Sequence, residues 1–183
     1  MQTQTKLLGN FQIESGRVFV SDPCYDLDTE CAKIVDNVKN GTWIAEIETR
    51  TVFGERVSKL VCHHESVRFP NNLIFEVISK DIGVDSGQAG VFDVDHFKRD
   101  SDADDLIREC KDIICENEPW YSMCCDKTLS KIGAGIIPFG VVSSSGMGDG
   151  CYVCEAAKQS DEIVAIQVNF LEEEEQEEED EEE

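Results

Sequence analysis

Short runs of apolar residues dominate the chain, and most have the length and period of β-strands. Residues 42–51 alternate apolar and polar side chains, with Asn40-Gly41 as a turn signal before them and a turn at 53–55 after them. The next run, residues 56–62, predicts the antiparallel partner of that strand. Further short strands are predicted along the chain, at residues 11–16, 17–21, 73–78, 82–84, 89–92, 136–143, 151–157 and 162–170.

One segment has a helical period. Residues 103–116 carry apolar side chains on a single face, and Ser101 or Asp102 can cap the first turn. A short helix is also predicted at residues 30–35, and residues 120–130 are predicted to be irregular. The sum is an α+β fold, mainly antiparallel β, in which a sandwich-like sheet carries one main amphipathic helix.

Charge separates the chain into two parts. Residues 172–183 are all acidic except Gln176, which predicts a disordered acidic tail after a single globular domain over residues 1–171. The net charge is −23, with 16 Lys and Arg against 39 Asp and Glu, and −12 remains without the tail. Direct nucleic-acid binding is therefore not expected. An acidic surface suits cations or basic proteins, so a protein partner is expected at that surface or at the tail.

Sequence features also predict the cellular compartment of the protein. The N-terminal residues lack the apolar run of a signal peptide, and no run of about 18 apolar residues predicts a membrane span. The nine cysteines are therefore expected as reduced thiols in a cytoplasmic protein. Cys151 and Cys154 lie on a predicted strand and should point to opposite faces, unlike a redox or metal pair. A zinc site from Cys124-Cys125 and His63-His64 is a weaker alternative.

Three predicted loops place polar side chains at strand ends. The most constrained is the glycine-rich tip in residues 140–154, and the others follow strands at 17–21 and 82–84. Loops on a rigid sheet are where binding residues concentrate. The candidate ligand-binding residues are Asp22, Asp85, Ser86, Ser145, Asp149 and Tyr152.

These residues allow two interpretations. If the loops meet, Asp22, Asp85 and Asp149 could bind a divalent cation, the one candidate cofactor. Alternatively, each aspartate accepts hydrogen bonds from nearby backbone N–H groups and shapes its own turn, which the sequence favours. The serine triplet does not match Gly-x-Ser-x-Gly, because Ser143 stands at the first glycine position, and no histidine is placed near it.

Four short sequence blocks follow one another along the chain in an order that matches a known family. They are GRVFVSDP (16–23), NGT (40–42) before an alternating strand, GVDSGQAGVFD (83–93), and SSGMGDGCY (144–152) before a terminal strand that ends in Phe170. This arrangement resembles a bacterial and phage family, the domain of unknown function 4241, over most of residues 16–170. The chain has Cys151 where the family usually has serine, and Gln88-Ala89 replaces a Thr/Trp-type pair. The resemblance implies a prokaryotic or viral cytoplasmic protein and names no reaction.

The sequence favours a small non-enzymatic binding or regulatory protein. It has no nucleophile–base pair, secure metal set, phosphate loop or dinucleotide fingerprint. One alternative is a divalent-metal-assisted hydrolase that uses Asp22, Asp85 and Asp149. Another is an acidic phage-type inhibitor of a basic host protein surface. Whether the three aspartate loops meet is the feature that separates these hypotheses.

Overall fold

A computed structural model describes residues 3–105, 107 and 118–171. These residues form two antiparallel sheets and one described helix, which confirms the predicted α+β class. The elements are β1 (Gln4–Ile13), β2 (Val18–Ser21), β3 (Lys33–Val35), β4 (Gly41–Thr51), β5 (Glu55–His64), β6 (Glu76–Val84), β7 (Gln88–Asp93), α1 (Pro119–Thr128), β8 (Ala134–Ile137), β9 (Gly140–Ser144), β10 (Gly150–Gln159) and β11 (Glu162–Asn169).

The two sheets face one another across a shared core. The six-stranded sheet has the order β1-β4-β5-β11-β10-β6, and the five-stranded sheet has the order β3-β2-β7-β9-β8. Trp43 and Leu60 from the first sheet and Val20 and Val91 from the second belong to one buried cluster. Side chains alternate across each strand, so one face of each sheet supplies this core. The predicted β4–β5 hairpin is present, with Thr51 opposite Glu55.

Helix α1 covers the outer face of the five-stranded sheet. Trp120 and Met123 pack there against Phe92 and Val142, and the Trp120 and Phe92 rings meet edge to face at 5.2 Å. The prediction of irregular structure at 120–130 is wrong. Pro119 occupies the start of the helix, where its missing N–H costs nothing, and packing on the sheet stabilises a segment whose local pattern is weak.

The predicted main helix at 103–116 lies mostly outside the described residues. Ile107 is described, and it packs against the same cluster as Trp120. The acidic tail, residues 172–183, also lies outside the described residues. Within the part of the chain that the structure describes, no helix is long and apolar enough to cross a membrane.

Three local predictions are corrected by strand pairing. Residues 30–35 do not form a helix, because β3 pairs with β2 and sets Ile34 opposite Phe19. Residues 136–143 form two strands, β8 and β9, that turn back at Pro138 and Phe139; Phe139 has a φ of 57°. The separate strands predicted at 73–78 and 82–84 are one strand, β6.

Strand directions bring several turns to one end of the sandwich. Ser21 lies opposite Gly90, and Gln88 lies opposite Ser144, so the end of β2, the start of β7 and the end of β9 coincide. In the other sheet, Val84 at the end of β6 pairs with Gly150 at the start of β10. We call this the loop end. Its turns comprise residues 22–32, 52–54, 85–87, 129–133 and 145–149.

Candidate functional site

Asp22 is fully buried at the loop end, and its carboxylate holds two turns together. Its Oδ2 accepts hydrogen bonds from the backbone N–H groups of Asp85 at 2.9 Å and Ser86 at 2.7 Å. Its Oδ1 accepts from the Ser86 hydroxyl at 2.7 Å and from the Cys24 N–H at 2.8 Å. A buried carboxylate is tolerated when donors surround it in this way. Asp22 therefore shapes the turn at 85–87 as well as its own.

Asp93 makes a matching arrangement at the other end of the same strand pair. It is also fully buried, and its Oδ2 accepts from the N–H groups of Glu14 at 2.7 Å and Ser15 at 2.9 Å. Its Oδ1 accepts from the Asp95 N–H at 2.9 Å. Asp22 follows β2 and binds the turn before β7, whereas Asp93 ends β7 and binds the turn before β2. The antiparallel pair is thus held by one buried carboxylate at each end.

Asp85 has a different role, because its carboxylate lies at the exposed surface. It accepts a hydrogen bond from the Tyr25 hydroxyl at 2.7 Å. Burial, followed by this bond, raises the pKa of Tyr25 well above its usual range. Desolvation of the Cys24 thiol, then its hydrogen bond to Asp22, raises the pKa of Cys24 to about 12. Both side chains therefore stay neutral at physiological pH.

A buried polar network connects the 85–87 turn to helix α1. Gln88 is buried; its amide nitrogen lies 3.3 Å from the Ser86 hydroxyl and 3.5 Å from the Tyr121 hydroxyl, and its amide oxygen accepts from Thr128 at 2.8 Å. Burial raises the pKa of Tyr121 to about 12. The network satisfies the polar groups that are buried between the sheet and α1. It also gives the Ser86 hydroxyl a second contact, to Gln88, besides its hydrogen bond to Asp22.

The glycine-rich tip is held by Ser145 and Tyr152. The Ser145 N–H donates to the Gly87 carbonyl at 3.1 Å, which sets the tip against the 85–87 turn. The Ser145 hydroxyl donates to the Gly148 carbonyl at 2.8 Å. The Tyr152 hydroxyl shares its proton between the Gly148 carbonyl at 2.6 Å and the Ser145 carbonyl at 2.9 Å. Burial raises the pKa of Tyr152, and the nearby negative charge of Asp149 adds to that effect.

The three aspartate loops therefore meet, but their carboxylates differ in burial and in the hydrogen bonds that they accept. Asp22 accepts four hydrogen bonds from the protein, Asp85 accepts from Tyr25, and Asp149 is exposed. Among the described residues, no group of three or more His, Cys, Asp or Glu could hold a metal ion. The turn-shaping interpretation fits Asp22. At the tip, Ser145 and Tyr152 shape the turn instead of Asp149.

The histidines and cysteines singled out by the sequence have other surroundings. His63 and His64 lie on β5, and the His64 Nδ1 is 2.8 Å from the Ser66 hydroxyl. His96 lies beyond the far end of β7, with its Nδ1 2.6 Å from an Asp102 carboxylate oxygen. None of these contacts involves the serine triplet. Cys151 is exposed and Cys154 is fully buried, so they occupy opposite sides of β10 as predicted.

Several exposed apolar side chains lie in the turns of the loop end, while others, Leu7, Phe69, Ile74 and Val77, lie elsewhere on the surface. Phe53 is 90% exposed, Leu129 is 74%, Met147 is 58% and Ile132 is 51%. A Cβ on Gly146 would lie 3.2 Å from the Val57 carbonyl, so the tip borders the start of β5. A Cβ on Gly133 would lie 3.9 Å from the Val57 side chain, which places the 129–133 turn near the same hairpin.

Sequence reasoning missed Asp93, Gln88 and Tyr121. Asp93 ends an apolar strand directly before a short helical turn, which is a local capping signal that could have been found. Gln88 and Tyr121 carry no local signal, because each acquires its role only when α1 docks on the sheet. A cleft of about 620 Å³ lies at the opposite end of β2, lined in part by Arg17, Asp36 and Glu162, and holds none of the predicted site residues.

Comparisons with protein-family models, with curated proteins and with solved structures gave no match. The resemblance to the bacterial and phage family therefore stays a prediction from the sequence blocks.

Proposed function

We propose that this chain is a non-enzymatic binding protein that recognises a partner protein through the loop end. The observation that carries the proposal is the grouping of exposed Phe53, Leu129, Ile132 and Met147 in turns that border one another. Single exposed apolar residues are ordinary on a protein surface, whereas a group of them at one end is typical of an interaction site.

The way the turns are held supports the same proposal. The polar side chains of Asp22, Ser86 and Ser145 point into the protein and bind neighbouring backbone groups. Met147 therefore remains exposed in the tip, and the Tyr152 hydroxyl holds the tip in place through its hydrogen bond to the Gly148 carbonyl. A loop that is already ordered loses little entropy on binding, so a rigid tip is suited to specific recognition.

Charge gives the expected character of the partner. Asp85 and Asp149 are exposed at the loop end, where Arg56 and Lys131 are exposed as well, so the negative potential comes from the chain as a whole, with its net charge of −23. Negative potential speeds encounter with a positively charged surface and disfavours acidic ones. We therefore propose a basic partner surface. An inhibitor of a basic host protein is one such binding protein, and it uses the same surface.

The hydrolase alternative has weaker support. A metal-assisted mechanism needs carboxylate oxygens that are open to the cation. Both oxygens of Asp22 already accept two hydrogen bonds each, within a buried site. Asp85 and Asp149 would have to bind the cation without it.

Capture and measurement of a partner test the proposal. Tagged full-length protein is used to isolate binding proteins from the cells that contain it, and the strongest partner is purified for a measurement of Kd. Phe53→Ser combined with Met147→Ser should weaken binding by about 10-fold or more, since buried anchors carry most of the energy of an interface. Asp85→Asn should mainly slow association and reduce its salt sensitivity, because one attractive charge is removed.

The matched control is Ile74→Ser. Ile74 is 83% exposed and lies before β6, at the opposite end of that strand from the loop end. An equal loss of affinity in the control and in the Phe53/Met147 variant would contradict the proposal. So would a rise in melting temperature with Mg²⁺ or Mn²⁺ that Asp85→Asn abolishes, because a native-state ligand at that residue would indicate the metal-dependent alternative.

A further inference from the structure

Gly83 on β6 has a cysteine on each side of it. On β10, Cys151 is directly opposite Gly83 in the antiparallel pair of strands. On the other side, β6 is the last strand of its sheet, and the Gly83 N–H donates to the Cys31 carbonyl at 2.7 Å. Both cysteines are free thiols; Cys151 is exposed and Cys31 is partly exposed.

The Cys31 side chain lies over the Gly83 backbone. A Cβ on Gly83 would lie 2.7 Å from the Cys31 Sγ and 3.0 Å from its Cβ, so the thiol occupies the place of a side chain at position 83. Ile82 and Val84 belong to the core between the sheets, so position 83 faces outward. Cys151, as its opposite residue, faces the same way, and both thiols therefore lie on one face of the sheet.

The pairing of Gly83 with Cys151 is of the type that brings side chains closest. The Gly83 N–H points away from β10, so the two residues exchange no backbone hydrogen bonds. In such pairs the Cα atoms are about 4.5 Å apart, and the Cβ positions are separated by about 4.5–5.5 Å. A disulfide needs Cβ atoms about 3.5–4.5 Å apart. Cys31 lies in the 22–32 turn, so it can approach Cys151 without a shift of any strand.

We propose that Cys31 and Cys151 form a reversible disulfide when the protein meets a small-molecule disulfide such as oxidised glutathione. The exposed Cys151 thiolate attacks one sulfur of the reagent, forms a mixed disulfide and releases the first glutathione thiolate. The Cys31 thiolate then attacks the Cys151 sulfur and releases the second. The two protein thiols lose two protons and two electrons in all, and the reagent gains them as two glutathione thiols.

The bond attaches the 22–32 turn to the second residue of β10, directly after the tip at 145–149. It closes a loop over residues 31–151, and a cross-link across so long a loop restricts the unfolded chain. Exposed disulfides are also more easily reduced than buried structural ones, so the bond is reversible. The inference goes beyond the proposed function and needs no partner for its test.

Oxidation of the full chain with oxidised glutathione, followed by peptide mapping without reduction, tests the pair. The linked Cys31–Cys151 peptide should exceed the mixed disulfide at Cys151 by about 10-fold or more, because a neighbouring thiol acts at a high effective concentration. Dithiothreitol should remove the bond. A mixed disulfide that persists at Cys151, or a bond from Cys151 to a different cysteine, would overturn the proposal.

Single substitutions separate the two steps. Cys31→Ser removes the second thiol, so Cys151 should accumulate as the mixed disulfide. Cys24→Ser is the matched control, because Cys24 is an exposed cysteine of the same turn, and it should leave the yield of the linked peptide unchanged. The oxidised parent chain should also melt several degrees above the reduced one, and Cys151→Ser, which alters an exposed side chain, should abolish that difference. Loss of the linked peptide in Cys24→Ser would contradict the assignment.

Discussion

The Asp22 carboxylate binds Ser86 twice, once through the backbone N–H and once through the hydroxyl, each at 2.7 Å. The two residues are 64 positions apart, so the contact joins the end of β2 to the turn before β7. The same turn receives the Ser145 N–H through the Gly87 carbonyl at 3.1 Å. One buried carboxylate thus joins two of the three predicted loops directly, and the third loop contacts the second through Gly87.

Asp22→Asn should destabilise the protein by about 2–4 kcal/mol, because an amide nitrogen would replace one acceptor oxygen and face buried donors. Urea denaturation followed by circular dichroism measures the change. Asp149→Asn is the control and should shift the free energy of unfolding by less than about 0.5 kcal/mol, since Asp149 is exposed. A neutral Asp22→Asn would contradict the structural role of this carboxylate.

Tyr152→Phe should loosen the tip, because it removes the hydroxyl that binds the Gly148 and Ser145 carbonyls. We expect a cost of about 1 kcal/mol in stability and faster amide hydrogen exchange over residues 145–149. Asp149→Ala should leave both quantities nearly unchanged. The reverse order of effects would restore the expectation that the aspartate shapes the turn.

Stability should fall in alkaline solution as buried tyrosines ionise. The folded pKa of Tyr121 is about 12, above its ordinary value of 10.0, so the unfolded chain releases this proton first. Its contribution is complete below pH 10 and is lost as the pH rises through about 12. Tyr121→Phe should flatten the decline in unfolding free energy across that interval, measured by urea denaturation. Identical slopes in the two proteins would contradict the raised pKa.

Cys24 should react slowly with iodoacetamide although it is exposed. A pKa of about 12 leaves very little thiolate at pH 8, so alkylation should be slower than in the urea-unfolded chain by at least about 100-fold. Mass spectrometry of the modified peptide gives the rate. Cys151, which is also exposed, reports within the same sample that the reagent is active. Equal rates for Cys24 in the folded and unfolded chain would rule out the raised pKa.

The difference between local and long-range information explains which site predictions succeeded. The loops at Asp22, Asp85 and Ser145 could be located from the sequence because each follows or precedes an apolar run. Their roles could not, since the donors to the Asp22 carboxylate include residues 85 and 86. Asp149 looked like the turn-forming residue of the tip, yet the hydroxyl of Tyr152 performs that function from the next strand.

The helices also show that a local sequence pattern does not always predict secondary structure. Residues 103–116 have a clear period of 3.6, whereas α1 has only Trp120, Met123 and Cys124 at helical spacing among polar neighbours. Docking against Phe92 and Val142 stabilises α1, and this contact leaves no trace in its own sequence. Strand β3 is comparable, because three residues become a strand only through pairing with β2.

By itself, the sequence determined the class of fold, the β4–β5 hairpin and the opposite orientations of Cys151 and Cys154, because periods of two and turn residues act over a few positions. The tertiary structure alone decided which loops meet, which carboxylate is buried and which apolar residues group at the surface. Those outcomes depend on pairing between strands far apart in the chain, where register rather than local preference sets each side chain's neighbours.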